Sequence, residues 1–286
     1  MNIMEQILKK IEKTQVIKEP FDHIIIDDLL PSDFYDNLSC ELDNGLICKR
    51  DYIRGDYGGP CRFAVDITDY RHWLASGRRS STKLHRRNYD LLSHSDGYNN
   101  IKRFLDLLIE NQESFYQLLC SKMSSRKIQD NYFFHTSIVQ DIPGYGITPH
   151  TDDKRNIFTI LFYAPATHEN KQFGLRNGNK VYPKVLKSLA PPDKFDSDIW
   201  KQWVTNKFGV WPHSPSRAMY WSYATSDEYI IEEPTTIDFM PNRMIVFAPC
   251  ARGNNGIPTW HAVPRVTETL VGTRNSFQMF FYRNDK

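Results

Sequence analysis

From about residue 130 to the end, the chain becomes a succession of short aromatic and β-branched segments. They are 131-NYFFHTSIVQ-140, 156-NIFTILFYA-164, 217-RAMYWSY-223, 243-RMIVFAP-249 and 271-VGTRNSFQMFFY-282. Stretches rich in Gly, Pro and Asn, among them PGYG, APP and APCARGNNGIP, separate most of them. Several short strands with turn punctuation predict an antiparallel sandwich or barrel. No other feature narrows the fold as much.

The first 129 residues read differently. In MNIMEQILKKIEKTQ, residues Ile3, Met4, Ile7, Leu8 and Ile11 fall at helical spacing with charges between them. That pattern predicts an amphipathic helix, and it speaks against a signal peptide, which needs an unbroken apolar stretch. The segment 23-HIIIDDLL-30 reads as a short buried strand. Residues 31–42 read as a helix with Ser32 as N-cap and Phe34, Leu38 and Leu42 on one face. Gly, Tyr and basic residues dominate 50–98, which predicts long loops around a strand at 61–67. One helix is expected over about 99–122, because Ile101, Phe104, Leu105, Leu108, Tyr116 and Leu119 keep the 3.6-residue period. A polar insertion with one helix, at 197–208, is expected between about 167 and 216, on a loop of the barrel. The plan is one domain over 1–286, α+β but mainly β: helical support and loops over 1–129, and the β-rich core over 130–286.

Composition removes several function classes. The longest uninterrupted apolar runs are five residues, Ile160 to Ala164 and Met244 to Ala248, too short for a membrane span. Cys40, Cys48, Cys61, Cys120 and Cys250 are odd in number and include no CxxC pair. Neither a zinc ribbon nor a thioredoxin-type site is offered, and reduced thiols in a cytoplasmic protein are the expectation. The net charge of +2, from 36 basic and 34 acidic side chains, argues against general polyanion binding. One run disagrees: 78-RRSSTKLHRR-87 has five Arg or Lys and no acid, and reads as a solvated loop or as a clamp for an anionic substrate.

The chemistry concentrates in 148-TPHTDDKRNIFTILFYAP-165. If His150 and Asp152 lie at a strand end, the period of two turns both toward one face. An imidazole beside a carboxylate supplies two of the three ligands of a facial triad, which holds a redox-active iron and leaves positions open for substrate and oxygen. A second such pair, His94-Ser95-Asp96, precedes Gly97 and two Asn just before the expected helix, and reads as a turn and N-cap. The third ligand should be a His on a distant strand. His261, in a short β-like segment flanked by Trp260 and Val263, is that candidate. Thirteen residues later Arg274 and Ser276 form an RxS pair on one face of the final strand, shared with Gln278 and Phe280. A buried Arg in a barrel strand is costly without an anionic partner. A dicarboxylate would supply one, its remote carboxylate meeting the guanidinium while its other end chelates the metal. Arg265 competes for this role, but it follows His261 too closely to cross comfortably to the next strand. Each residue also has a plainer reading: a His150–Asp152 hydrogen bond in a loop, His261 as a core histidine, Arg274 in a salt bridge at a sheet edge. His135, in a strand of aromatics, reads as packing or substrate lining rather than a ligand.

Together these residues resemble the iron(II)- and 2-oxoglutarate-dependent oxygenases, which share a double-stranded β-helix (jelly-roll) core. The resemblance covers roughly 130–286. In addition, 20-PFDHIIIDDLLPSDFYDNL-38 resembles the opening segment of the branch that includes prolyl hydroxylases and phytanoyl-CoA-type enzymes. DIPGYGITPHTD is similar to the family's approach to its first ligand, and TILFYAP to the strand whose tyrosine, here Tyr163, reaches the far carboxylate of the co-substrate. The resemblance implies Fe(II) held by His150, Asp152 and His261, 2-oxoglutarate bound by Arg274, Ser276 and Tyr163, and O2 as the oxidant. The long gap between Asp152 and His261 departs from the pattern, as does KQFGLRNG where a GT motif commonly stands. Asp152 is intact; halogenating members carry a small residue there, so hydroxyl-type chemistry is favoured.

The implied activity is oxidation of an unactivated C–H bond, by hydroxylation or by desaturation or cyclisation. The substrate would be small, anionic or amino-acid-derived, with His135, Arg78, Arg79 and Arg155 on its side of the site. Competing readings are a prolyl-type protein hydroxylase with an open groove, a jelly-roll module that keeps a metal without catalysis, and a nucleic-acid binder using the basic run, which the near-neutral charge weakens. The oligomeric state is not legible.

Overall fold

The computed structural model describes residues 2–19, 21–43, 62–66, 97–123, 131–143, 145, 147–150, 152, 156–165, 179–181, 235–248, 261–263, 266 and 273–283. Only the backbone is described at 43, 63–66, 147–150, 179–181, 235–236 and 262. The basic run at 78–87, the segment 217–223 and the helix expected at 197–208 lie outside these residues.

Four helices are described. Helix α1, Ile3–Lys13, buries Met4, Ile7 and Ile11 on the face its periodicity marks. It opens with a reciprocal cap in which Asn2 Oδ1 accepts from the Glu5 N–H and the Glu5 carboxylate accepts from the Asn2 N–H. Helix α2 is Ser32–Asp43. Ser32 therefore stands inside the first turn rather than at the cap, and Pro31 C=O accepts the first bond, from Tyr35.

The helix expected over 99–122 is two: α3, Asn99–Glu110, and α4, Gln112–Lys122. The break is at Asn111, whose backbone sits at φ −110° and ψ 16° and whose side chain donates to Leu107 C=O at 2.8 Å. Asn competes with the helical ladder in this way when a local carbonyl is within reach. The turn and cap expected at His94, Ser95 and Asp96 lie outside the described residues. At the start of α3 the Tyr98 side chain makes no cap bond, and the Glu41 carboxylate of α2 accepts from the N–H groups of Asn100 and Ile101, each at 2.9 Å.

Among the described residues ten strands form two antiparallel sheets, so the fold is mainly β. The larger sheet contains β1, His23–Ile26; β2, Arg62–Asp66; β3, Tyr132–Asp141; β5, Asn156–Tyr163; β8, Arg243–Phe247; and β10, Arg274–Arg283. Its order is β1-β8-β5-β10-β3-β2. The smaller sheet contains β4, Ile147–His150; β6, Asn179–Val181; β7, Thr235–Ile237; and β9, His261–Val263, in the order β4-β9-β6-β7. Strand β6 falls within the stretch expected to be a polar insertion. That part of 167–216 is sheet, paired to β7 and β9.

Side-chain alternation gives the larger sheet two different faces. One face carries Phe158, Ile160 and Phe162 from β5 with Phe277, Met279 and Phe281 from β10, and it packs in a single cluster with the apolar sides of α1–α4. Phe104 of α3 meets Phe277 edge-on at 5.1 Å, and Tyr116 of α4 meets Phe281 at 5.1 Å. Each such aromatic, fully buried, contributes on the order of 1.5–3 kcal/mol. The opposite face carries Thr159, Leu161 and Tyr163 beside Arg274, Ser276, Gln278 and Phe280. There Leu161, Tyr163, Ile245 and Phe247 pack with Ile237 and Phe239 of the second layer. The polar residues of interest thus lie between the two sheets, on a rigid platform backed by the helices.

Asn242 fixes one corner of this platform. It adopts a positive φ of 58°, a conformation Asn tolerates better than most residues. Its side chain both accepts from the Leu30 N–H and donates to Leu30 C=O, each at 2.8 Å. Its own N–H donates to Tyr163 C=O. No described helix is long and apolar enough to cross a membrane.

Candidate metal and co-substrate site

Strands β4 and β9 run antiparallel with His150 and His261 as direct register partners. The pairing shifts between Ile147 and His150, a local irregularity of the kind found near functional sites. The His150 side chain lies outside the described residues. That of His261 is buried, with its ring edge-on to Phe247 at 4.7 Å between centroids.

His261 Nε2 stands 3.6 Å from Asp152 Oδ1. That is too long for a hydrogen bond. It is close to the separation of two donors that share one metal ion, since ligand bonds of about 2.0–2.2 Å place neighbouring donors roughly 3 Å apart. The other oxygen of Asp152 is held from the sheet: Thr159 Oγ1 donates to Oδ2 at 2.6 Å, and Asn156 Nδ2 donates to Thr159 Oγ1 at 2.8 Å. A borderline imidazole nitrogen and a hard carboxylate oxygen, converging and braced by an outer hydrogen bond, fit a first-row divalent metal. Among the described residues, no three His, Cys, Asp or Glu side chains come together.

At the other end of the same face, Arg274 is 1% exposed. The sequence suggested a sheet-edge position as one option, yet β10 is central, flanked by β3 and β5. Its Nη1 donates to Asp141 Oδ2 at 2.9 Å. Asp141, fully buried, also accepts from Arg62 Nε at 2.6 Å and Arg62 Nη2 at 2.9 Å. Asp141 is the register partner of Arg274 on β10 and of Arg62 on β2, so the three groups lie abreast across three strands. Burial of Arg274 therefore does not by itself require a bound dicarboxylate, as the sequence reading supposed. Among the described side chains of this cluster, two guanidinium groups meet one carboxylate.

Burial works to lower the Arg62 guanidinium. The Asp141 charge, Tyr145 and the hydrogen bonds to Asp141 outweigh it, and Arg62 sits above its ordinary value. Its guanidinium also lies 3.8 Å from the centre of the Tyr145 ring. The Arg274 guanidinium lies beside the rings of Phe239, 5.0 Å from its centre, and Tyr163, 5.3 Å from its centre.

Ser276 is the register partner of Tyr163 and shares the inward face with Arg274. Its Oγ is buried and has no hydrogen-bond partner among the described residues. Leaving a buried hydroxyl unsatisfied costs about 1–3 kcal/mol, and a carboxylate beside Arg274 would relieve it. The Arg274–Ser276 face thus fits the remote end of a dicarboxylate.

His135 is buried on β3, stacked on Phe280 at 5.9 Å and on the same face as Arg274 but toward the opposite end of β10. Arg78, Arg79 and Arg155 lie outside the described residues. Sequence reading missed Arg62, Asp141, Asn156 and Thr159 as parts of one site. Thr159 alone had a usable signal, its place two and four residues before Leu161 and Tyr163 on one strand face.

No family model matches the chain, and no curated protein matches it. Solved structures do. A prolyl-4-hydroxylase of Pseudomonas putida is similar at 11% identity and a TM-score of 0.41, over 99% of each chain. The dioxygenase for auxin oxidation 1 of Arabidopsis thaliana, with 2-oxoglutarate, is similar at 9% identity and a TM-score of 0.45, over 99% of this chain and 89% of that one. The epimerase SnoN, with Fe3+, α-ketoglutarate and nogalamycin RO, is similar at 12% identity and a TM-score of 0.42, over 98% of this chain and 83% of that one.

Proposed function

We propose that this chain is an Fe(II)- and 2-oxoglutarate-dependent dioxygenase with a jelly-roll core. It oxidises an unactivated C–H bond of a small, anionic or amino-acid-derived substrate, by hydroxylation in the first instance. The observation that carries the reading is the approach of His261 Nε2 to Asp152 Oδ1 at 3.6 Å, beside the register pair His150–His261.

In this reading His150, Asp152 and His261 hold the iron, one from each strand of the β4–β9 pair and one from the segment between β4 and β5. Arg274 and Ser276 bind the remote carboxylate of 2-oxoglutarate, with Tyr163 alongside. When bound, the iron and co-substrate supply the oxidising chemistry: 2-oxoglutarate is decarboxylated to succinate and carbon dioxide, and one atom of O2 enters the substrate. The protein contributes positioning and dryness. Phe247 packs against His261 and Leu161 lies on the same face, an apolar wall that keeps water from the imidazole side. Arg78, Arg79 and Arg155 are assigned to an anionic group on the substrate, and His135 to its lining.

The test is succinate release from 2-oxoglutarate across a screen of amino-acid-derived acids and proline-containing peptides. Asp152→Ala abolishes release if the reading is right; unchanged release overturns it. Turnover of peptides alone would shift the assignment to a protein hydroxylase. Metal retention without oxygen consumption would shift it to a non-catalytic module.

A further inference from the structure

The structure assigns Thr159 and Asn156 a positioning role: together they hold Asp152 so that Oδ1 alone faces the metal. This inference rests on reading the site as an iron centre and goes beyond it by fixing how the carboxylate ligates.

The direction of each hydrogen bond follows from the donors available. The Asn156 carboxamide nitrogen can only donate. Thr159 Oγ1, 2.8 Å away, must therefore accept from it, which leaves the single hydroxyl proton for Asp152 Oδ2 at 2.6 Å. That length lies in the range of a charge-assisted O–H···O⁻ bond. Turning the amide over would bring its carbonyl oxygen toward the carboxylate, to which Nδ2 now points at 3.5 Å. It would also leave the Thr159 proton with two acceptors. The relay thus has one consistent polarity, Asn156 to Thr159 to Asp152, and it occupies Oδ2.

Rigid elements support it. Thr159 and Asn156 are each 2% exposed. Thr159 lies between Phe247 on β8 and Phe280 on β10 as a register partner of both, so its β-branched side chain has little rotamer freedom. Asp152 precedes β5 and is tied to the sheet through this hydroxyl. The consequence is chemical. A facial triad leaves three positions open only when its carboxylate binds through one oxygen. A carboxylate free to swing could close with both oxygens and take a position needed by co-substrate or oxygen.

The test uses Co(II) alone as the probe on the full chain, without oxygen, with affinity and visible ligand-field absorption as readouts. Thr159→Val keeps the shape and removes the hydroxyl. It is expected to weaken Co(II) by about 10–100-fold, as loss of an outer-shell bond typically does, and to change the intensity of the absorption as the second carboxylate oxygen is admitted. Thr159→Ser should restore wild-type affinity and spectrum, and Asn156→Ala should give a smaller loss. Unfolding midpoints of the metal-free variants separate this from a general loss of structure. Wild-type affinity and an unchanged spectrum in Thr159→Val overturn the inference while leaving the iron site standing. Failure of the wild type to bind Co(II), or binding unaffected by Asp152→Ala, overturns the site and this inference with it.

Discussion

Replacing Asp141 by Asn is the sharpest probe of how the co-substrate end is built. The change keeps the shape and removes one negative charge from a group that is fully buried and accepts three hydrogen bonds, two from Arg62 and one from Arg274. Both guanidinium groups are themselves buried. Deleting one member of a buried ion pair costs about 3–5 kcal/mol, because the remaining charge loses its compensation and keeps its desolvation penalty. Exposed pairs contribute only about 0–1 kcal/mol. Here two charges lose one shared partner, so the upper part of the buried range applies. Urea unfolding of the metal-free protein reads it directly. With a slope of about 3 kcal/mol per molar urea, the midpoint should fall by roughly 1.3–1.7 M. A loss below about 1 kcal/mol would refute the reasoning, since it would mean that the cluster behaves as a solvated surface pair.

Asn242→Ala removes two side-chain hydrogen bonds to Leu30 and leaves at φ near 58° a residue that tolerates this region less well than Asn. The expected cost is about 2–4 kcal/mol in the same assay, and Asn242→Gly, which tolerates the backbone angle, should recover part of it. His23 has Nδ1 2.8 Å from Phe21 C=O. Burial lowers its pKa below the ordinary 6.5, more strongly than the carbonyl and Asp22 raise it. Because the unfolded chain then binds the extra proton first, stability contributed by neutral His23 is present above pH 6.5 and is lost as pH falls through the depressed folded value. A His23→Gln variant should show a flatter stability profile across that acid window, measured by thermal unfolding. A profile unchanged by the substitution would remove His23 as its source.

The fold was legible wherever a pattern is carried by consecutive residues. The two-residue period of 274–283 separates Arg274, Ser276, Gln278 and Phe280 from Phe277, Met279 and Phe281, and the sheet keeps that separation. The break at Asn111 was not legible, because the apolar period runs on through Phe115, Tyr116 and Leu119, and its local sign is a side-chain bond that shares the Leu107 carbonyl with the Asn111 backbone N–H. Strand β6 was missed because Asn-Lys-Val carries no pattern of its own; its partners β7 and β9 make it a strand. The same distinction holds in the site. His150, Asp152, His261 and Arg274 were named from residue type and spacing, and the structure describes His261 beside Asp152 and Arg274 on the inward sheet face. The Arg62–Asp141 pair joins residues 79 positions apart, and the Thr159–Asp152 bond joins a strand residue to one outside that strand, which no periodicity marks.

The central claim is that His150, Asp152 and His261 hold an iron to which 2-oxoglutarate is delivered by Arg274 and Ser276. Its most direct test is visible absorption of the protein titrated with Fe(II) and 2-oxoglutarate in the absence of oxygen. A band should appear only when both are present, disappear in Asp152→Ala and His261→Ala, and require a higher 2-oxoglutarate concentration in Arg274→Gln. No band in the wild type, or the same band in the Asp152 and His261 variants, would contradict the account.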